Sequence, residues 1–226
     1  MARGMKTAGN SQLGIRAVVL DFDGTLADTQ PLIVSSIHRT LSELGLPPRT
    51  DDECRAIIGL PLEECFVRLS GVDAATAEVC AATYRRVFDE DNHPGTVRLF
   101  PHVLATLSEL HNRGLTLAIC SSRGRPTLDG FVRSFHLEDY FSMIVSANDV
   151  QRHKPHPDPV LAILRRLGVA AGETLVVGDA SYDILMGRSA GCRTCGVTYG
   201  NQSAADLRDA GADYLVDDFS QISVLV

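Results

Sequence analysis

The chain has 226 residues, 45 % hydrophobic and 22 % charged, which is enough apolar material for one large domain or a domain with an insert. Its formal charge of −7 disfavours a nucleic-acid surface, because phosphate-backbone binding leans on an excess of Lys and Arg. No apolar run approaches the roughly 20 residues that span a bilayer, which argues against a membrane partner.

The first segment, "MARGMKTAGNSQLG", has early cations but no apolar stretch of the kind that a secretory signal needs. It reads as a disordered leader over residues 1–14. "IRAVVLDF" is then the first of six short β-rich runs, followed by "LTLAICSS", "SMIVSAN", "ETLVVGD", "TCGVTYG" and "ADYLVDD". Nearly all are apolar throughout rather than alternating, as parallel strands covered on both faces are. Helices separate the later runs. "VLATLSELHNRG" places Val103, Leu104, Leu107 and Leu110 on one stripe and stops at Gly114. "DPVLAILRRLG" does the same with Val160, Ile163, Leu164 and Leu167 before Gly168. The alternation predicts an α/β fold, a doubly wound, Rossmann-like parallel sheet.

Between Pro31 and Arg98 no convincing strand is present. Ile33, Ile37, Leu41 and Leu44 make "PLIVSSIHRTLSELG" amphipathic, and Thr50 with Glu53 forms a capping-box pattern. Such a long stretch of helix exceeds an ordinary crossover. The predicted organisation is a core of residues 15–30 and 99–226 with an α-helical cap inserted at 31–98. The six cysteines are scattered through apolar segments, which fits reduced thiols in a cytoplasmic protein. Cys192 and Cys195 form a lone CxxC without the second pair that zinc would need.

The chemistry gathers at the predicted strand ends. Asp21 and Asp23, two positions apart in extended chain, face one side at the end of the first run. Asp179 ends "TLVVGD", and Asp183 follows at the start of a helix. Like charges collected at one edge are costly unless a cation joins them, and oxygen-only donors suit a hard ion, Mg²⁺ first. Ser121, Ser122 and Arg123 end another strand, and Lys154 lies in a Pro-stiffened loop. With free N–H groups around Gly24, these form a site for a phosphoryl group.

These residues resemble the haloacid dehalogenase superfamily of phosphotransferases. Its four motifs occur in order: "DFDGTLADT", Ser121, Lys154 and "GDASYD". The resemblance covers about residues 15–220 and is strongest to the phosphoglycolate phosphatase-like branch, including "IIGLPLEECF" in the cap. It implies an Mg²⁺-dependent phosphatase of a small phosphorylated metabolite, working through an aspartyl-phosphate. Asp21 is then the nucleophile and Asp23 the general acid and base. Asp21, the Asp23 carbonyl and Asp179 hold the metal, and Ser121 and Lys154 bind phosphoryl oxygens. Asp183 orients Lys154 or a metal-bound water, Thr25 supports the first turn, and Ser122 and Arg123 are placed as substrate contacts. A solvated helix-entry role is the alternative for Arg123.

Several competitors are weighed on single positions. Dehalogenases lack the carboxylate present at Asp23. Phosphonatases need a cap lysine, and 31–98 contains none. Mutases of the β-phosphoglucomutase kind carry a cap His where this chain has Ile33. A β-phosphoglucomutase-like phosphotransferase or a pyrophosphatase of the same fold, and a non-catalytic phosphate-binding or regulatory protein, remain as alternatives. Monomer and homodimer are both ordinary for such a chain. His102 stands where relatives usually have Gly, beside hinges expected near Gln30–Pro31 and Arg98–Pro101. Arg55 and Arg68 of the cap read as solvated, with a substrate carboxylate as the other option. His153 and His156 flank Lys154 and read as surface residues.

Overall fold

The computed structural model describes residues 14–226, so the leader expected over 1–14 lies outside the described residues except for Gly14. The chain begins with β1 (Ala17–Leu20), β2 (Ala27–Asp28), α1 (Gln30–Glu43), α2 (Asp51–Ala56), α3 (Leu62–Ser70) and α4 (Ala74–Asp91). It continues through β3 (Arg98–Leu99), α5 (Val103–Asn112), β4 (Thr116–Cys120), α6 (Arg125–Ser134), β5 (Met143–Val145) and α7 (Asp158–Leu167). It closes with β6 (Thr174–Gly178), α8 (Ser181–Ser189), β7 (Arg193–Val197), α9 (Ala204–Asp209), β8 (Tyr214–Val216) and α10 (Ile222–Leu225).

Six strands form one sheet in the order β5-β4-β1-β6-β7-β8, every pair parallel. They are the six apolar runs of the sequence. Their unbroken hydrophobicity has a direct cause. Val18, Leu20, Leu117, Ile119, Leu175 and Val177 enter the core cluster on one face. Val19, Ala118, Cys120 and Val176, one position out of phase, enter the cluster on the other. β1 lies between β4 and β6, so the chain leaves it toward one edge and returns beside it toward the other. The C-terminal ends of strands at such a reversal are where open α/β sheets bind ligands.

Helices α1 to α4 lie between β2 and β3 and pack on one another, α1 and α3 against α4. α1 buries Ile33, Ile37 and Leu41 as its periodicity predicts. The Thr50 capping box is formed, with the Glu53 N–H donating to the Thr50 hydroxyl at 3.2 Å and the Thr50 N–H to the Glu53 carboxylate at 2.7 Å. Two features differ from the sequence reading. β2 and β3 pair antiparallel, Ala27 with Leu99 and Asp28 with Arg98, at the places where hinges were expected. Each strand is only two residues long, too short for any periodicity to reveal. Leu104 is 46 % exposed, so the buried stripe of α5 is Val103, Thr106, Leu107 and Leu110. Being adjacent to Val103, Leu104 points about 100° round the helix and leaves the core face.

His102 adopts φ +64 at the N-cap of α5. That left-handed conformation is the reason for glycine at such a position, and histidine is among the side chains that tolerate it. Its imidazole Nδ1 meets the Asp218 carboxylate at 2.8 Å. His102→Val, which puts a β-branched residue at this angle, is expected to cost about 1–2 kcal/mol, read as a lowered urea midpoint at unchanged m-value.

Candidate active site

β1 and β6 end side by side, with the Asp21 N–H donating to the Val177 carbonyl at 2.9 Å. This pairing brings Asp21, at the end of β1, next to Asp179, at the end of β6. Asp183 lies in the first turn of α8. Carboxylate oxygens of Asp21, Asp179 and Asp183 lie within 4.8 Å of one another, all three residues buried. Lys154 reaches in from the loop before α7, and its ammonium donates to Asp21 Oδ1 at 2.5 Å and Asp183 Oδ1 at 2.6 Å. One buried ammonium thus faces three buried carboxyls.

The titration behaviour follows from that imbalance. Burial pushes the Asp21 carboxyl well above the usual carboxylate range; Lys154 opposes this, and Asp183 and Asp179 add to it. Burial, then Asp183, raises Asp179 to about 7, although hydrogen bonds from Asn201 hold it down. Burial works against the charge of Lys154, yet Asp183 and Asp21 raise its pKa well above the ordinary value. Three oxygen donors with excess negative charge and no nearby nitrogen or sulfur ligand in the group fit a hard divalent cation.

The surrounding chain is shaped to this cluster. A side chain at Gly24, whose φ is +85, would overlap the Asp179 carboxylate, and one at Gly200 would overlap Asp179 and the Gly24 carbonyl. The Thr25 hydroxyl stands 3.3 Å from Asp179 Oδ1. Asn201 donates to Asp179 Oδ2 through both its backbone N–H, at 2.7 Å, and its side-chain amide, at 2.6 Å. Sequence reasoning missed Asn201. Its signal was "TYGNQ", a polar turn that follows the apolar strand β7 and therefore falls at the same sheet edge.

Asp23 is placed differently from the other acids. It accepts from the Thr29 hydroxyl at 2.7 Å and from Arg123, through Nη2 at 2.6 Å and Nε at 3.1 Å. The Arg123 side chain is only 9 % exposed, which overturns a solvated helix-entry role. Its guanidinium lies over the rings of Phe88, from α4, and Phe131, from α6, at 4.6 and 5.2 Å from their centroids. Ser121 is buried, and its oxygen accepts the Arg123 N–H at 3.1 Å. The Ser122 hydroxyl donates to the Gly59 carbonyl at 2.6 Å and so fastens the β4 end to the helical block.

Asp21 and Asp23 open into a cavity of about 560 Å³ between sheet and helices, walled by Ile33, Ile37, Ile58, Leu62, Phe66 and Phe88 among others. Ser122, Arg123 and His153 also line it. Arg55 and Arg68 do not; each pairs with acids on its own helix. His156 meets Asp158 at 3.1 Å. All six cysteines are free and buried.

A doubly wound sheet with an acid cluster at its reversal point, beneath helices that wall a cavity, together with the relatives below, marks a hydrolase that acts on phosphoric esters. The profile of the haloacid dehalogenase-like hydrolases matches residues 18–197, and the chain belongs to that family, in its phosphoglycolate phosphatase-like branch. It is 33 % identical over 214 residues to pyrophosphatase PpaX of Oceanobacillus iheyensis, covering 95 % of this chain and 98 % of that one. It is 32 % identical over 230 residues to phosphoglycolate phosphatase of Salmonella typhimurium, covering 92 % and 91 %. A solved haloacid dehalogenase-like hydrolase of Bacteroides fragilis matches with a TM-score of 0.87 at 32 % identity, covering 92 % of this chain and 99 % of that one. No helix among the described residues is long and apolar enough to cross a membrane.

Proposed function

We infer that this hydrolase cleaves a small phosphomonoester with Mg²⁺ through an aspartyl-phosphate on Asp21. The observation that carries this reading is the convergence of Asp21, Asp179 and Asp183 on one point beside a buried lysine, at the floor of a capped cavity. Asp21, Asp179 and the Asp23 carbonyl would hold the cation, with Asp183 either joining them or fixing Lys154. When bound, the ion offsets the repulsion between an anionic nucleophile and an anionic phosphoryl group.

In the first step a carboxylate oxygen of Asp21 attacks phosphorus in line, the ester P–O bond breaks, and the alcohol leaves with a proton from Asp23. In the second, Asp23 takes a proton from water as that water attacks phosphorus. The acyl phosphate opens to inorganic phosphate and free Asp21. Lys154 and the Ser121 hydroxyl hold the phosphoryl oxygens through both steps, and Thr25 supports the turn that presents Asp23. Ser122 and Arg123 border the leaving group. Arg123 binds both oxygens of Asp23, so one oxygen must be released before it can deliver a proton. Binding of substrate under the helical cap of residues 31–98 supplies the occasion for that release. Reduced thiols and a cytoplasmic setting complete the reading.

The test is turnover of p-nitrophenyl phosphate. Activity is expected to fall about 10²-fold or more in EDTA and to return with Mg²⁺. Equal rates with and without chelator would remove the metal from the reading.

A further inference from the structure

The helical wall of the cavity is short of usable positive charge. There is no lysine between residues 31 and 98. Every arginine on α1 to α4 is paired with a carboxylate: Arg39, Arg55, Arg68, Arg85 and Arg86. Of these, only Arg85 lines the cavity, and it is held by Glu63 at 2.5 Å. On the core side Arg123 spends its charge on Asp23, and Lys154 is taken by Asp21 and Asp183. Glu63 and Asp89 add negative charge to the lining. The rest of the helical wall is aliphatic and aromatic, joined by Tyr84, a residue 8 % exposed, while Ser122, Thr127, Asn148 and His153 line the core side.

An anionic leaving group brought against this wall would give up hydration without meeting an unpaired lysine or arginine, and a charge desolvated without such a partner is costly. An uncharged group with an apolar or ring-shaped face would instead remove apolar wall from water and offer its polar edge to Tyr84. On the phosphatase reading above, we propose that the substrate is the phosphomonoester of an uncharged, apolar-faced alcohol, and that phosphoglycolate and pyrophosphate are poor substrates. The cavity wall thus sets this chain apart from the activities named for two of its relatives.

The experiment compares kcat/KM of the full chain with Mg²⁺ on benzyl phosphate, uridine 5′-monophosphate, 2-phosphoglycolate and pyrophosphate. Benzyl phosphate and phosphoglycolate are both esters of primary alcohols, so their ratio reports the pocket rather than the ease of P–O cleavage. The neutral-alcohol esters are expected to lead by about 10²-fold. Parity, or a lead for phosphoglycolate or pyrophosphate, would overturn the proposal while leaving the phosphatase reading intact. Absence of turnover on all four, and on p-nitrophenyl phosphate, would overturn that reading and this one together. Leu62→Lys places an ammonium on the wall, and Glu63→Gln frees Arg85 without touching the core. Each is expected to narrow the benzyl phosphate to phosphoglycolate ratio about tenfold. A ratio unmoved by both would also count against the proposal.

Discussion

Asp21→Asn is expected to lower kcat by about 10⁴-fold or more while raising the melting temperature of the protein in EDTA above neutral pH. Both effects follow from one carboxyl. As nucleophile it must attack phosphorus as an anion, and a neutral amide cannot form the acyl phosphate. As a structural element it is a liability, because it adds a third acid to a cluster that holds a single ammonium. The sign is fixed by linkage. Burial raises the Asp21 carboxyl above its ordinary value, so its stabilising contribution is full below the unfolded pKa, about 3.9, and is lost as pH rises through the folded value. Asp179 behaves alike, its contribution fading from about pH 4 through its folded value of about 7. The metal-free parent should therefore melt at progressively lower temperature from pH 4 to 8, and Asp21→Asn along a shallower slope. Mg²⁺ should stabilise the parent most at the alkaline end. Retained activity in this variant would show that another group attacks phosphorus. A slope as steep as the parent's would show that Asp21 is not the strained member of the cluster.

What the sequence revealed and what it hid divide along a physical line. The six strands were legible because full burial on two faces leaves an unbroken apolar run, and no polar residue interrupts "AVVL" or "TLVVG". Asp21 and Asp179 were legible because a carboxylate at the end of such a run needs a reason. The partners of these acids were not. Asn201 is distant from Asp179 in the chain and becomes its hydrogen-bond donor only because β7 lies next to β6. Arg123 follows two serines at a strand end, where a charged side chain ordinarily points to solvent. Its burial depends on Phe88, which arrives from the helical block, and on Phe131 beneath it. Pattern reports burial and spacing along the chain, whereas the identity of an ionic partner is a property of topology. The same limit explains the short β2–β3 ribbon, whose four residues carry no period.

Lys154→Met is the sharper test of how the cluster is held together. The ammonium is 2 % exposed and touches Asp21 and Asp183, so removing it strands two buried carboxylates, and breaking one side of a buried pair costs about 3–5 kcal/mol. The loss should depend on pH in a definite direction. The folded-state pKa of Lys154 lies above its usual value, so its contribution persists throughout the range below the unfolded pKa and is lost only at strongly alkaline pH. Over pH 4 to 8 the lysine is charged in both states, and the variant's deficit is governed by the acids. Near pH 4, where Asp21 and Asp179, both raised by burial, take up protons, the deficit should shrink; near pH 8 it should be largest. Chemical unfolding at the two ends of that range, in EDTA, reads the difference directly. Asp183→Asn in the Lys154→Met background removes one of the stranded charges and should recover part of the stability. It should not recover turnover, because the ammonium that holds the phosphoryl oxygens is still missing. A double variant no more stable than Lys154→Met would show that the lysine fills space at the floor of the site rather than balancing its charge.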